Sequence, residues 1–138
     1  MPRFLLLTLF FATGFAIVPA ADAATFVVTT SGVTFVPDSV TVSVGDTVQW
    51  VWGGAPNHTV TSGTGSADPD AGALYDAPLN SLNPTFSYVF SGAGGIYPYF
   101  CRLHELLNMD GVVIVEEQVG VPAPSGLVSW SRIKEVFR

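Results

Sequence analysis

Residues 40 to 44 read Val-Thr-Val-Ser-Val, an alternation that suits a strand with Val40, Val42 and Val44 turned to one core. Turn residues bracket it, Pro37-Asp38 before and Gly45-Asp46 after. The same period of two returns from Thr47 to Trp52, with Val48, Trp50 and Trp52 on one face, and from Phe86 to Phe90, with Phe86, Tyr88 and Phe90 inward. Phe26 and Val28 start the series, and Tyr97 to Cys101 and Val112 to Val115 read as two more strands. Helical spacing is nearly absent from this region. Short alternating strands separated by turns predict an all-β chain, an antiparallel Greek-key β-sandwich of about 7–8 strands.

The longest connection, Ser62 to Pro84, is too long to hang free in a compact domain. Leu74, Tyr75, Leu79 and Leu82 are expected to pin it down, through a short helical turn or an edge strand. Asp68, Asp70 and Asp76 within it read as a solvated acidic loop rather than a calcium site.

The two ends differ from this middle. Met-Pro-Arg followed by the apolar run Phe4 to Val18 and the small residues Ala21-Asp22-Ala23 reads as a secretory signal, residues 1–23, with a mature start near Ala24. A membrane span is the other reading, but the run is shorter than the ~20 apolar residues that a bilayer requires. The domain is expected over 24–118. Gly120-Val-Pro-Ala-Pro-Ser-Gly126 reads as a linker over 119–126. Residues 127–138 place Trp130, Ile133 and Phe137 at helical spacing. This tail could dock on a partner, act as a sorting or anchoring signal, or fold back on the sandwich.

Charge narrows the class of partner. The chain has 138 residues and a net charge of -6, and between Ala24 and Gln118 Arg102 is the only basic residue against nine acidic ones. Such a surface is unsuited to nucleic acid, whose phosphates need Lys and Arg.

The scarce residues gather in one stretch, Tyr97 to Met109, which reads Tyr-Pro-Tyr-Phe-Cys-Arg-Leu-His-Glu-Leu-Leu-Asn-Met. It holds the only cysteine, Cys101, one of two histidines, His104, and Met109, the only methionine besides Met1. The other histidine, His58, lies upstream in Pro-Asn-His-Thr-Val. In an exported protein an unpaired cysteine is an inert buried thiol, half of an intermolecular disulfide, or a metal ligand. Singly, Cys101 reads as a small hydrophobe, His58 as a loop histidine and Met109 as core filler. Jointly they form a thiolate, two imidazoles and a thioether, a set that favours copper in one-electron transfer. Zinc, the rival metal, prefers four strong ligands and rarely uses a thioether. Cys101, His104 and Met109 would come from one short loop and His58 from a separate loop at the same end of the sandwich, which holds the geometry rigid.

With these residues in view, the chain resembles the plastocyanin-type cupredoxins. The spacing Cys101-x-x-His104-x-x-x-x-Met109 is similar to that family's copper loop, as are Tyr97-Pro98-Tyr99-Phe100 before it and Asp110-Gly111-Val112-Val113-Ile114-Val115 after it. Phe35-x-Pro37, Val44-Gly45-Asp46-Thr47-Val48-x-Trp50 and Asn57-His58-Thr59-Val60 extend the likeness over Thr25 to about Glu116. The resemblance implies one type 1 copper held by His58, Cys101, His104 and Met109, the imidazoles binding through Nδ1. It departs at residues 105–108, Glu-Leu-Leu-Asn, where plant plastocyanins carry a smaller, Gly-containing loop. Leu106 and Leu107 would enlarge an apolar docking patch around His104, with the Glu105 carboxylate beside it.

The expected function is therefore an exported, extracytoplasmic (periplasmic or secreted) one-electron carrier, monomeric and not an enzyme, that meets redox proteins transiently. Electrons would pass through the exposed edge of His104. A copper-delivery protein without electron turnover is the alternative. A multicopper enzyme needs a second copper and further histidines, and the chain has none to spare.

Overall fold

The computed structural model describes residues 22–117. The proposed signal segment up to residue 21, the linker and the C-terminal tail lie outside the described residues. Nine strands and one short 3₁₀ turn make up the fold: β1 Thr25–Ser31, β2 Thr34–Val36, β3 Ser39–Ser43, β4 Thr47–Val51, β5 His58–Ser62, β6 Asp76–Leu79, β7 Thr85–Val89, β8 Gly95–Phe100, the turn Glu105–Leu107, and β9 Asp110–Glu116. They form two sheets, one in the order β2-β1-β4-β7 and one in the order β3-β9-β8-β5-β6. No helix among the described residues is long and apolar enough to cross a membrane.

The all-β sandwich agrees with the alternation in the sequence, but the sheets are mixed rather than antiparallel. β1 runs parallel to β4, and β3 runs parallel to β9. Alternation of side chains is the same in either strand direction, so the sequence pattern marks the buried face and leaves the direction open. The strand count exceeds expectation because β2 is a three-residue edge and β6 emerges from the long 62–84 connection. In that connection Tyr75 and Leu79 are buried and act as the pins, whereas Leu74 and Leu82 are exposed.

Inner faces of both sheets supply the core. Val28, Val40, Val42, Val48, Trp50, Val60, Tyr99, Val113 and Val115 are buried in it, and Val44, Trp52, Phe86 and Tyr88 are partly buried against it. Trp50 stands at the centre, fully buried, with ring centroids 5.2 Å from Tyr99, 5.4 Å from Tyr75 and 5.7 Å from Phe86. Removing a buried aromatic of this kind costs about 3–5 kcal/mol, so this ring is a main tie between the two sheets. Burial raises the Tyr99 phenol to about 12 and pushes the Tyr75 phenol higher still, so both stay neutral at ordinary pH.

One glycine shows how tightly this packing leads into the site. A Cβ on Gly111 would clash with the Tyr99 ring, so β9 can pass over that ring only where it has no side chain. That passage brings the end of β8 and the start of β9 together, with the Cys101–Met109 loop between them.

Candidate metal centre

The Cys101 amide donates to the carbonyl of Met109 at 2.9 Å, which closes the loop at its base. Inside, the His104 amide donates to the Cys101 carbonyl at 3.1 Å, and the Met109 amide to the His104 carbonyl at 3.3 Å. Glu105–Leu107 makes a single 3₁₀ turn, and Asn108 ends it in the left-handed region at φ 56°. Asparagine tolerates that conformation better than most residues, which suits it to stopping a turn just before Met109. The loop is thus fixed by its own backbone before any metal is considered.

His58 arrives differently. It is the first residue of β5, paired with Leu79 of β6, and not part of a loop as the sequence suggested. The pairing extends back to His58 because β6 lies alongside to receive it. Its side chain is buried, as are those of Cys101 and Met109, while His104 is half-buried.

The side-chain atoms converge. His104 Nδ1 lies 3.4 Å from Cys101 Sγ, and His58 Nδ1 lies 3.9 Å from it. One donor atom from each of the three residues falls within 4.8 Å of the others. Met109 is buried in the same cluster as Cys101. A soft thiolate flanked by two imidazole nitrogens, with a buried thioether in the same loop, suits copper by the chemistry of its donors. Burial, with the neighbouring His104, lowers the pKa of His58, so it stays neutral and able to bind a metal below the pH at which a free histidine protonates. Its Nε2 is buried without a hydrogen-bond partner among the described residues.

A polar ring closes beside the sulfur, touching it through one amide. The Thr59 amide points at Cys101 Sγ, 3.4 Å away. The Arg102 amide donates to Thr59 Oγ1 at 2.8 Å, Thr59 Oγ1 lies 3.2 Å from Thr61 Oγ1, and Thr61 Oγ1 donates to Asp76 Oδ1 at 2.8 Å. Arg102 Nε then returns to Asp76 Oδ2 at 3.0 Å. Because Thr59 Oγ1 accepts from Arg102 and Asp76 can only accept, each hydroxyl has one consistent direction, Thr59 giving to Thr61 and Thr61 to Asp76. The ring ties β5, β6 and the residue after Cys101 into one unit.

A second tie comes from Glu105. Its Oε1 accepts from the Ser66 amide at 2.7 Å, so the carboxylate straps the 62–76 connection to the loop. Hydrogen bonds from Ser66, with a weaker contribution from Arg102, hold it below the usual carboxylate range. Beside His104, Leu106 is almost fully exposed at 97%, and Leu103 and Leu107 are exposed at 60% and 59%. Leu103 was not singled out in the sequence, although its place between Cys101 and His104 marks it. Thr59 was missed for a firmer reason: its contribution is a backbone amide, which residue type does not announce.

A family model of copper-binding proteins, the plastocyanin/azurin family, matches residues 22–116. The chain belongs to that family. Among related sequences, plastocyanin of Scenedesmus fuscus is 32% identical over 85 residues, 59% of this chain and 86% of the relative. Plastocyanin of Prochlorothrix hollandica is 31% identical over 80 residues, 58% of this chain and 61% of the relative. Among solved structures, oxidised plastocyanin from Dryopteris crassirhizoma has a TM-score of 0.56 at 25% identity, covering 66% of this chain and 100% of that one. Amicyanin from Paracoccus versutus has a TM-score of 0.54 at 33% identity, covering 72% of this chain and 86% of that one. His58, Cys101 and His104, with Met109, are arranged as the copper site of this family.

Proposed function

We propose that this cupredoxin is an exported, monomeric one-electron carrier, and not an enzyme, with His58, Cys101, His104 and Met109 as the ligands of one type 1 copper. The observation that carries it is the convergence of His58 Nδ1 and His104 Nδ1 on the single thiol, within 3.9 and 3.4 Å, in a frame closed by its own hydrogen bonds. Copper bound there would exchange one electron between its two oxidation states. A frame that is already held without metal keeps the ligands from rearranging as that charge changes. The buried Cys101 and His58 exclude water from one side, and the half-exposed His104 offers the route to solvent.

Leu103, Leu106 and Leu107 surround that route with apolar surface suited to a small, transient contact with a redox partner. Glu105 lies at the rim, with one carboxylate oxygen accepting from the Ser66 amide. The acidic balance of the domain favours a partner with a basic face. A copper-delivery protein is the competing reading, but an interlocked site fits retention of the metal better than release.

The test is the visible spectrum and voltammetry of the copper-loaded protein. An intense blue thiolate-to-copper band and fast reversible electron exchange are expected, and Cys101→Ser should abolish the band. Colour that survives in Cys101→Ser would sink the ligand assignment, and sluggish exchange with ready release of Cu(I) would favour delivery.

A further inference from the structure

In the turn between β3 and β4, Asp46 is buried at 7% exposure. Its two carboxylate oxygens are each used: Oδ2 accepts from the Ser43 amide at 2.8 Å, and Oδ1 accepts from the nitrogen of Ala24 at 2.8 Å. Among the described residues no cation pairs with it, since the one salt bridge there joins Arg102 to Asp76. Burying a carboxylate without a counter-charge is costly, and two neutral amides offset only part of that cost. Ala24 itself is clamped at both ends, because its carbonyl accepts from the Thr47 amide at 2.8 Å. The fold therefore fixes the chain from Ala24 onward, directly after the small residues Ala21-Asp22-Ala23.

We infer that the Ala23–Ala24 peptide bond is a processing site and that Asp46 is the built receptor for the α-ammonium its cleavage creates. The inference rests on the export reading above and adds to it the bond that is cut and the group that receives the new terminus. A signal peptidase hydrolyses the bond with one water. The hydroxyl goes to the Ala23 carbonyl carbon, which leaves as a carboxylate with the leader. The Ala24 nitrogen keeps its hydrogen and gains two protons, both from the water: one on hydrolysis and one released as the new carboxylic acid ionises. The nitrogen then carries the missing positive charge at the position where it already meets Asp46 Oδ1. Asp22 and Ala23 are exposed and leave with the leader. Processing thus converts a buried unpaired carboxylate into an ion pair, and the processed chain is the more stable one.

The experiment expresses the full chain in a bacterial host with a secretory pathway and reads the N-terminal mass of the exported protein. A start at Ala24 is expected; a start at any other residue overturns the inference while leaving the export reading intact, and an uncleaved, retained chain overturns both. A second full-length chain carries Thr-Gln inserted between Ala23 and Ala24, so that cleavage after Ala23, checked by the N-terminal mass, leaves Ala24 as an amide and moves the ammonium two residues away. Its thermal unfolding midpoint should fall by about 4 °C or more. Asp46→Asn should then lower the midpoint more in the normal chain than in the chain with the insertion, the mark of a direct coupling. An unchanged midpoint with the insertion, or an equal effect of Asp46→Asn in both chains, would show that the ammonium does not pair with Asp46. The insertion comparison decides the matter even if Asp46→Asn fails to fold.

Discussion

The two histidines of the metal centre sit in opposite surroundings. His58 opens a strand that is hydrogen-bonded on both sides of its sheet, and it is 1% exposed. His104 stands in an irregular loop among exposed leucines and is half-buried. Both present Nδ1 to the same sulfur, so their chemistry toward the metal is alike. The difference lies behind the ring. His58 is backed by the sandwich and can do little but hold position, whereas His104 is backed by solvent and can meet another protein. On the proposed function, rigidity and contact would then fall to different residues, and neither role would compromise the other.

The sharpest way to break this contrast is to empty each position in turn. His58→Gly and His104→Gly should both lose the blue band, a complete effect on the spectrum. Added imidazole should restore it in His104→Gly, because a small molecule can enter from solvent. It should fail, or restore far less, in His58→Gly, where the gap is enclosed by β5 and its neighbours. Equal rescue of the two variants, followed by optical titration, would mean that the burial difference does not control access to the metal.

The next effect is on partner contact. Leu107→Asp places a carboxylate in the apolar rim and replaces none of the ligands. Desolvating an unpaired polar group at an interface costs about 1–3 kcal/mol, which is roughly 5- to 150-fold in affinity. Electron transfer to a physiological partner, followed by stopped flow, should slow by about that factor while the spectrum of the free protein is unchanged. A rate equal to the parent's would place the contact surface elsewhere.

Much of this contrast was legible in the sequence, and the gaps have physical causes. Cys101, His104 and Met109 could be read because a loop of fixed spacing carries all three, and His58 because histidines are so few. Val40, Val42, Val48 and Trp50 could be read because side-chain alternation is a local property. The parallel pairing of β1 with β4 and of β3 with β9 is long-range and leaves no local mark. Glu105 illustrates the same limit: its charge was plain, but its engagement with Ser66, 39 positions away, was not. Asp76 and Thr61 are ordinary surface and strand residues until register brings them opposite each other. What the sequence hid was chiefly the support behind the ligands.

That support can be probed at Thr61, where the expected effect is smallest and the logic most specific. Thr61→Val keeps the β-branched shape in a fully buried strand position and changes no charge. It removes the hydroxyl that links Thr59 Oγ1 to Asp76 Oδ1 and so opens the polar ring. The Thr59 amide, aimed at Cys101 Sγ, then loses part of what holds it there. A thiolate with a weaker hydrogen bond donates more strongly to copper and favours the oxidised state, so the reduction potential should fall while the blue band persists. In the copper-free protein, amide exchange at Thr59 should speed by about fivefold, the equivalent of one net hydrogen bond of ~1 kcal/mol. Thr61→Ser should restore both readings, because it returns the hydroxyl without the methyl group. If Thr61→Val leaves potential and exchange where they were, the amide is held by the backbone of β5 alone. The strand that positions His58 would then be sufficient to position the sulfur's hydrogen bond as well.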